Sequence, residues 1–289
     1  MPADLWSKRP LGRTGMMVSR LGLGSSYGLG DRDVERAFDR GVSYFYWGSR
    51  RRRGFGRGLR TIARRHREDM VVVVQSYARA GIALRPSLEV ALRRLRLEYA
   101  DVLLLGWWND PPPDRILDAA LALKEAGKVR ALMISCHHRP TFAAYIADPC
   151  YGAIMVRYNA AHAGAEGEVF PHLVGAVNPP GVVAYTATRW GALLDRRLVP
   201  EGEPVPRASD CYRFALTSPQ VDVVLSGPRD GAELDEAMAA LDRGVLDPDE
   251  LAWMQRVGAG VHGAAAAARI RRPAHLLDQV AAAITRQRP

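Results

Sequence analysis

Gly41-Val-Ser-Tyr-Phe-Tyr-Trp-Gly-Ser-Arg-Arg-Arg-Arg-Gly54 begins as an apolar, β-rich run, Val42 to Trp47, and ends in small, polar and then strongly basic residues. A buried strand that opens into a loop of unusual chemistry is the unit with which a (β/α)8 barrel displays a site. Outward from it, similar apolar runs recur at Ser19–Gly24, Met70–Gln75, Asp101–Leu105, Ala131–Ser135, Ala153–Arg157, Gly181–Thr186 and Val221–Ser226. They are near-continuous Val, Leu and Ile, as strands covered on both faces require. Between them, Arg32–Arg40, Gly56–Arg67, Arg85–Leu97, Pro113–Ala126 and Ala232–Leu241 carry apolar residues at spacings of three and four, which predicts helices. Arg85-Pro-Ser-Leu predicts a helix that opens with Pro in its first turn. Eight β-α alternations predict a closed (β/α)8 TIM barrel, one α/β domain over residues 1–289, rather than an open sheet. Residues 1–20 read as a short lead-in with a turn at Leu11–Gly15. Gln255–Pro289 reads as a tail, with a Gly-containing turn, an Ala run and a further helix over Ala274–Arg286.

The length of 289 residues suits such a barrel, and with 48% hydrophobic residues the chain can bury its core. No apolar run reaches the roughly 18 residues of a membrane span. The N-terminus lacks a basic segment followed by an apolar one, so no signal peptide is expected. Cys136, Cys150 and Cys211 lie far apart, which is neither a disulfide framework nor metal-ligand spacing, and the expected compartment is the reducing cytoplasm. The net charge of +9 is carried by Arg, Lys occurring only at positions 8, 124 and 128. Arginines scattered over several helices argue against a nucleic-acid partner. The sequence specifies no oligomeric state.

Read together and in order, Leu11-Gly-Arg-Thr-Gly15, Ser19-Arg-Leu-Gly-Leu-Gly24, Gly41-Val-x-Tyr-Phe, Tyr99-Ala-Asp-Val-Leu-Leu-Leu, Leu123-Lys-Glu-Ala-Gly-Lys-Val-Arg130, Tyr158-Asn159, Val183-Ala-Tyr-Thr186 and Tyr212-Arg-Phe-Ala-Leu-Thr-Ser-Pro resemble the aldo-keto reductases. The resemblance covers about Leu11 to Leu241. It implies carbonyl reduction with a nicotinamide cofactor. It also implies an Asp and a Tyr after the second strand, a Lys ending the third and a His ending the fourth. At those positions this chain has Tyr46, Arg51, Gln75 and Gly106. Arg51 stays protonated and cannot act as a general acid. Gln75 brings no charge to lower a phenol's pKa. A positioned acid contributes about 10² to 10⁴-fold, so ordinary carbonyl reduction is expected to be slow.

The implied pocket for NADP or NAD is weakened rather than erased. Where the family holds the carboxamide with Ser-Asn and a Gln, this chain has Ser135-Cys136 and Met155. Tyr185 stands at the platform under the nicotinamide, with Thr186 beside it. Gly227 and Arg229 stand where a phosphate would approach, but Glu233 would repel one.

The strand ends carry a polar and aromatic set: Tyr46, Trp47 and Ser49; Gln75 and Tyr77; Trp107, Trp108 and Asn109; Cys136, His137 and His138; Arg157, Tyr158, Asn159 and His162; and Tyr185, Thr188, Arg189 and Trp190. Such ends line the site of a barrel. Tyr46, Gln75, His137 and His138 are the candidates for chemistry, although adjacent residues on an extended segment point opposite ways, so one of the two His faces the site at most. Trp47, Arg51, Trp107, Arg157, Asn159 and Trp190 are the candidates for holding substrate, the arginines for an anionic group. His137, His138 and His162 lack the carboxylate or Cys spacing of a metal site. The expected protein is therefore aldo-keto-reductase-like with a rebuilt site for a small anionic or aromatic molecule. The alternative is a barrel that senses a ligand or scaffolds a partner without turnover.

Overall fold

The computed structural model describes residues 4–48 and 50–270, so Ser49 and the helix expected over Ala274–Arg286 lie outside the described residues. Eight strands form a closed parallel barrel: β1 (Leu21–Gly24), β2 (Tyr44–Trp47), β3 (Val71–Ser76), β4 (Ala100–Leu105), β5 (Val129–Ser135), β6 (Tyr151–Arg157), β7 (Gly181–Tyr185) and β8 (Val223–Ser226). Closure comes from β8 pairing with β1, Val224 opposite Leu21. Around it lie α1 (Asp31–Asp39), α2 (Arg53–His66), α3 (Gly81–Leu95), α4 (Asp114–Glu125), α5 (Phe142–Ala147), α6 (Ala165–Glu168), α7 (Phe170–Val174), α8 (Ala208–Thr217), α9 (Gly231–Arg243) and α10 (Pro248–Ile270). Among the described residues no helix is long and apolar enough to cross a membrane.

The period-2 alternation of each strand sorts its side chains into two layers. Tyr44 and Tyr46, Val71 and Val73, Val102 and Leu104, and Met133 and Met155 fill the barrel interior. Phe45, Trp47, Val72, Val74, Leu103 and Leu105 pack outward under the helices. Each such burial contributes roughly 1.5–3 kcal/mol, which is why strands apolar on both faces select an interior with both faces covered. Room for the Tyr44 ring is made by Gly22, where a Cβ would lie 2.5 Å from the ring.

The lead-in forms a hairpin, Arg9–Pro10 against Met17–Val18, whose Leu11, Met16 and Val18 floor the barrel. Gly12 bridges to Pro180 with φ +45°, and a Cβ there would lie 1.8 Å from the Gly181 nitrogen. On the outer side near this floor, Asp101 is fully buried. Its carboxylate accepts the Val72 N–H at 2.8 Å and pairs with Arg67 at 2.9 Å and Arg130 at 3.1 Å, fastening β3, β4 and β5 together.

Two expectations are corrected. α3 starts at Gly81, and Pro86 lies inside it instead of opening it. Pro costs that helix the bond from its own missing N–H, while the earlier residues still wind. The Gly-containing turn and Ala run expected from Gln255 onward are helical, because α10 continues to Ile270. Two of its glycines serve close packing: a Cβ on Gly258 would lie 2.1 Å from the Ala160 carbonyl oxygen, and one on Gly260 2.2 Å from Pro200.

Candidate ligand site at the barrel mouth

At the carboxyl ends of β2 and β3, the buried Tyr46 hydroxyl donates to Gln75 Oε1. Burial raises the Tyr46 pKa well above its ordinary value. Beside this pair, Gly106 leaves its side-chain space to its neighbours. A Cβ on it would meet Gln75 Nε2 at 2.5 Å and the Tyr77 ring at 2.8 Å. The rim is aromatic, with Tyr77 edge-on to Trp107 at 5.5 Å and Trp107 edge-on to His137 at 5.3 Å.

His137 is the junction of this rim. Its Nδ1 lies 3.1 Å from an Arg157 Nη2, and its Nε2 lies 3.4 Å from the Tyr185 hydroxyl. A guanidinium only donates, so Nδ1 accepts and the neutral ring carries its proton on Nε2, directed at the Tyr185 oxygen. Burial, and then the charge of Arg157, push the His137 pKa down to about 4, which keeps the ring neutral. Burial raises the Tyr185 pKa and Arg157 opposes it. Arg157 also lies over the Trp190 ring, 5.3 Å from its centroid. The Arg157 Nε is buried without a hydrogen-bond partner.

The loops that bring these groups together are strained. Trp107, Thr186, Arg189 and Trp190 all have φ between 52° and 59°. Left-handed backbone at residues other than glycine costs on the order of 1–3 kcal/mol each and concentrates at functional sites. Trp107 is held there by its N–H to Ser135 Oγ at 3.0 Å, and Arg79 donates to the carbonyls of Gly106 and Trp107. Asn109, a member of the strand-end set, accepts the His137 and His138 N–H groups on Oδ1 and so shapes the β5 loop. No local spacing signals that role, since its partners lie 28 and 29 residues away.

The other expected site residues divide. His138 turns away from His137, its Nδ1 2.9 Å from Thr141 Oγ1 within the loop. Trp47 belongs to the outer layer, stacked on Phe55, because Tyr46 before it faces inward. Arg51 donates to the Gly48 and Gln75 carbonyls and lines an outer cleft with Trp47 rather than the mouth. Asn159 is fully buried and spends its amide on the Thr186 carbonyl and the Ala161 N–H. Thr186 Oγ1 donates to the Tyr185 carbonyl. Arg229 is paired with Glu233, and a Cβ on Gly227 would lie 2.4 Å from the Tyr27 ring. Cys136 lies against the His138 carbonyl, and burial raises its pKa to about 11, so it is a thiol rather than a thiolate.

His162 is also held down to about 4, by burial first and then by Arg189 and Arg157. A His with a folded pKa below its unfolded value is neutral in the fold. Stability is therefore complete above the unfolded pKa of about 6.5 and falls as pH drops through 6.5 toward 4. The urea midpoint will fall between neutral pH and pH of about 5, and His162→Asn will lose less over that interval than the parent. An equal loss in both would assign the acid sensitivity elsewhere.

No protein-family model matches the sequence. Among solved structures, an aldo-keto reductase from Bacillus halodurans in its holo form is similar, with TM-score 0.74 and 21% identity over 87% of this chain and 96% of that one. An aldo/keto reductase from Klebsiella pneumoniae in complex with NADP and acetate gives TM-score 0.72 and 22% identity over 88% and 96%. A putative aldo-keto reductase from Pseudomonas aeruginosa gives 0.64 and 21% over 84% and 98%. The parallel barrel, its hairpin floor and these likenesses agree: the chain has the fold of the aldo-keto reductases.

Proposed function

We propose that this aldo-keto-reductase-like barrel has a rebuilt mouth that binds a small aromatic carboxylate. The observation that carries the reading is Arg157, a half-buried cation whose neighbours are a neutral imidazole and an indole face. No carboxylate pairs with it among the described residues, and its Nε has no acceptor. A charge partly withdrawn from water without a counter-charge keeps a desolvation cost, and a ligand carboxylate would supply the missing partner through the planar fork. Trp107, Tyr185 and Trp190 offer aromatic surface beside it.

The reading includes slow carbonyl reduction. Tyr46, Arg51, Gln75 and Gly106 stand for the reductase tetrad, and none of them is a tuned acid. A nicotinamide dinucleotide also fits poorly in the manner the resemblance implies. Ser135 Oγ accepts the Trp107 N–H, Cys136 is turned to His138, Met155 is buried in the interior and Arg229 is neutralised by Glu233.

Calorimetric titration tests this. Benzoate and phenylacetate will bind at least about tenfold more tightly than benzamide, the gain of one charge-assisted contact. Equal affinity for acid and amide would end the reading. The second reading, a nicotinamide-linked oxidoreductase, is favoured by the likeness to a Klebsiella protein solved with NADP. It requires micromolar binding of NADPH or NADH in the same titration, and no heat from either at millimolar concentration would remove it.

A further inference from the structure

The outer face of the barrel holds a second feature, which does not depend on the mouth. A cleft of about 400 Å³ between α2 and α3 is lined by Trp47, Arg51, Arg53, Arg57, Arg60 and Arg94. Of these five arginines, among the described residues only Arg57 pairs with a carboxylate, Asp31 at 2.7 Å. Arg51 spends donors on the Gly48 and Gln75 carbonyls, and burial, then the charge of Arg94, lowers its pKa. Arg60 donates to the Arg94 carbonyl at 2.9 Å. The Trp47 indole N–H is buried and has no acceptor.

The placement along α2 is as unusual as the charge. Arg53 is the first residue of the helix, Arg52 provides no side-chain cap, and the first turn has no acidic residue. The amino end of a helix carries the positive end of its dipole, so cations there repel it and anions are favoured. Like charges gathered round one cleft repel as well. An anion in the cleft would reverse both terms at once.

We propose that this cleft is a binding site for a compact oligophosphate, a linear ester or anhydride of two or three phosphoryl groups. The volume lies within the range of small-molecule sites, about 300–1,000 Å³, and guanidinium forks match phosphoryl oxygens. A chain of two or three phosphoryl groups offers several oxygens to the guanidinium forks of α2 and α3, where a monophosphate offers one group. Gly56 sets the floor: a Cβ there would lie 2.9 Å from Trp47, so only glycine lets α2 lie this close to the indole.

The full chain is titrated calorimetrically with sodium tripolyphosphate, inorganic phosphate and a single-stranded oligothymidylate at low salt. Tripolyphosphate will bind one to one in the micromolar range, and phosphate at least about tenfold more weakly. Arg60→Gln/Arg94→Gln will weaken tripolyphosphate at least about tenfold with its melting temperature unchanged. Arg64→Gln/Arg65→Gln, which removes the same charge from the far end of α2, will leave it within about twofold. Equal loss in both double variants would reduce the effect to net charge and overturn the site. So would the absence of tripolyphosphate heat at millimolar concentration. Tighter oligothymidylate binding that displaces tripolyphosphate would replace the proposal with a nucleic-acid surface. Arg157 lies outside the cleft, so these outcomes are independent of benzoate binding at the mouth.

Discussion

Replacing Arg157 with Leu will weaken benzoate binding at the barrel mouth by roughly 10- to 150-fold, the equivalent of about 1.5–3 kcal/mol for hydrogen bonds to a charged group. The argument runs through geometry. Arg157 leaves the end of β6 and is oriented by His137 Nδ1 on one side and by the Trp190 face on the other. Leu keeps much of the apolar stem and removes the charge. Arg157→Lys retains the charge without the fork, so its loss will be intermediate. The ligand-free protein gives the control. Removing a half-buried cation that has no carboxylate partner relieves a desolvation cost, so the melting temperature of Arg157→Leu will equal or exceed that of the parent. Undiminished benzoate affinity in Arg157→Leu would show that the carboxylate is held elsewhere.

Asp101→Ala will have the largest effect on stability, about 3–5 kcal/mol, the cost of removing one partner from a buried ion pair. The residue is wholly inaccessible, and Arg67 opposite it is only 16% exposed. Without the carboxylate, the Val72 N–H loses its acceptor and Arg67 keeps only the Met70 and Tyr99 carbonyls and its place over the Tyr99 ring. Asp101→Asn keeps one acceptor for Val72 and will lose less. Urea denaturation followed by circular dichroism measures both. A loss below about 1 kcal/mol for Asp101→Ala would mean that desolvation of the three charges offsets their attraction.

The barrel was legible because each strand is an apolar run of four to seven residues between helical spacings. Val71-Val-Val-Val74, covered on both faces, has no stable place outside a covered parallel sheet. The end of the chain departs from its local pattern for a tertiary reason. Gly258 and Gly260 look like turn residues, yet the absence of a side chain there answers to Ala160 and Pro200, which are distant in sequence. A strand-end position by itself assigns Trp47 to the mouth. The alternation that puts Tyr44 and Tyr46 inside already sends Trp47 outward, so that information was present and outweighed by its position. The mouth was legible as a list of residues but not as contacts. His137, Arg157 and Tyr185 follow or end three different strands, 20 and 48 residues apart, and no spacing announces that one imidazole bridges the other two. The arginine cleft was half visible. Arg50 to Arg53 stood out as a run, whereas Arg60 and Arg94 join it only through the packing of α2 against α3.

The floor and the seam of the barrel have a consequence for the order in which the chain acquires its fold. Gly12 bridges to Pro180, and Leu21 pairs with Val224. Both contacts join the beginning of the chain to residues beyond its midpoint, and loop-closure entropy must be met before such distant contacts repay it. During synthesis, a chain that has emerged only as far as β7 therefore holds an unfinished sheet with two unpaired edges, β1 and β7. Its hydrogen-bonding groups at those edges stay available to other strands until Val223–Ser226 arrives. The two open edges therefore persist until β8 emerges, and rapid translation through residues 186–222 shortens the last interval before closure.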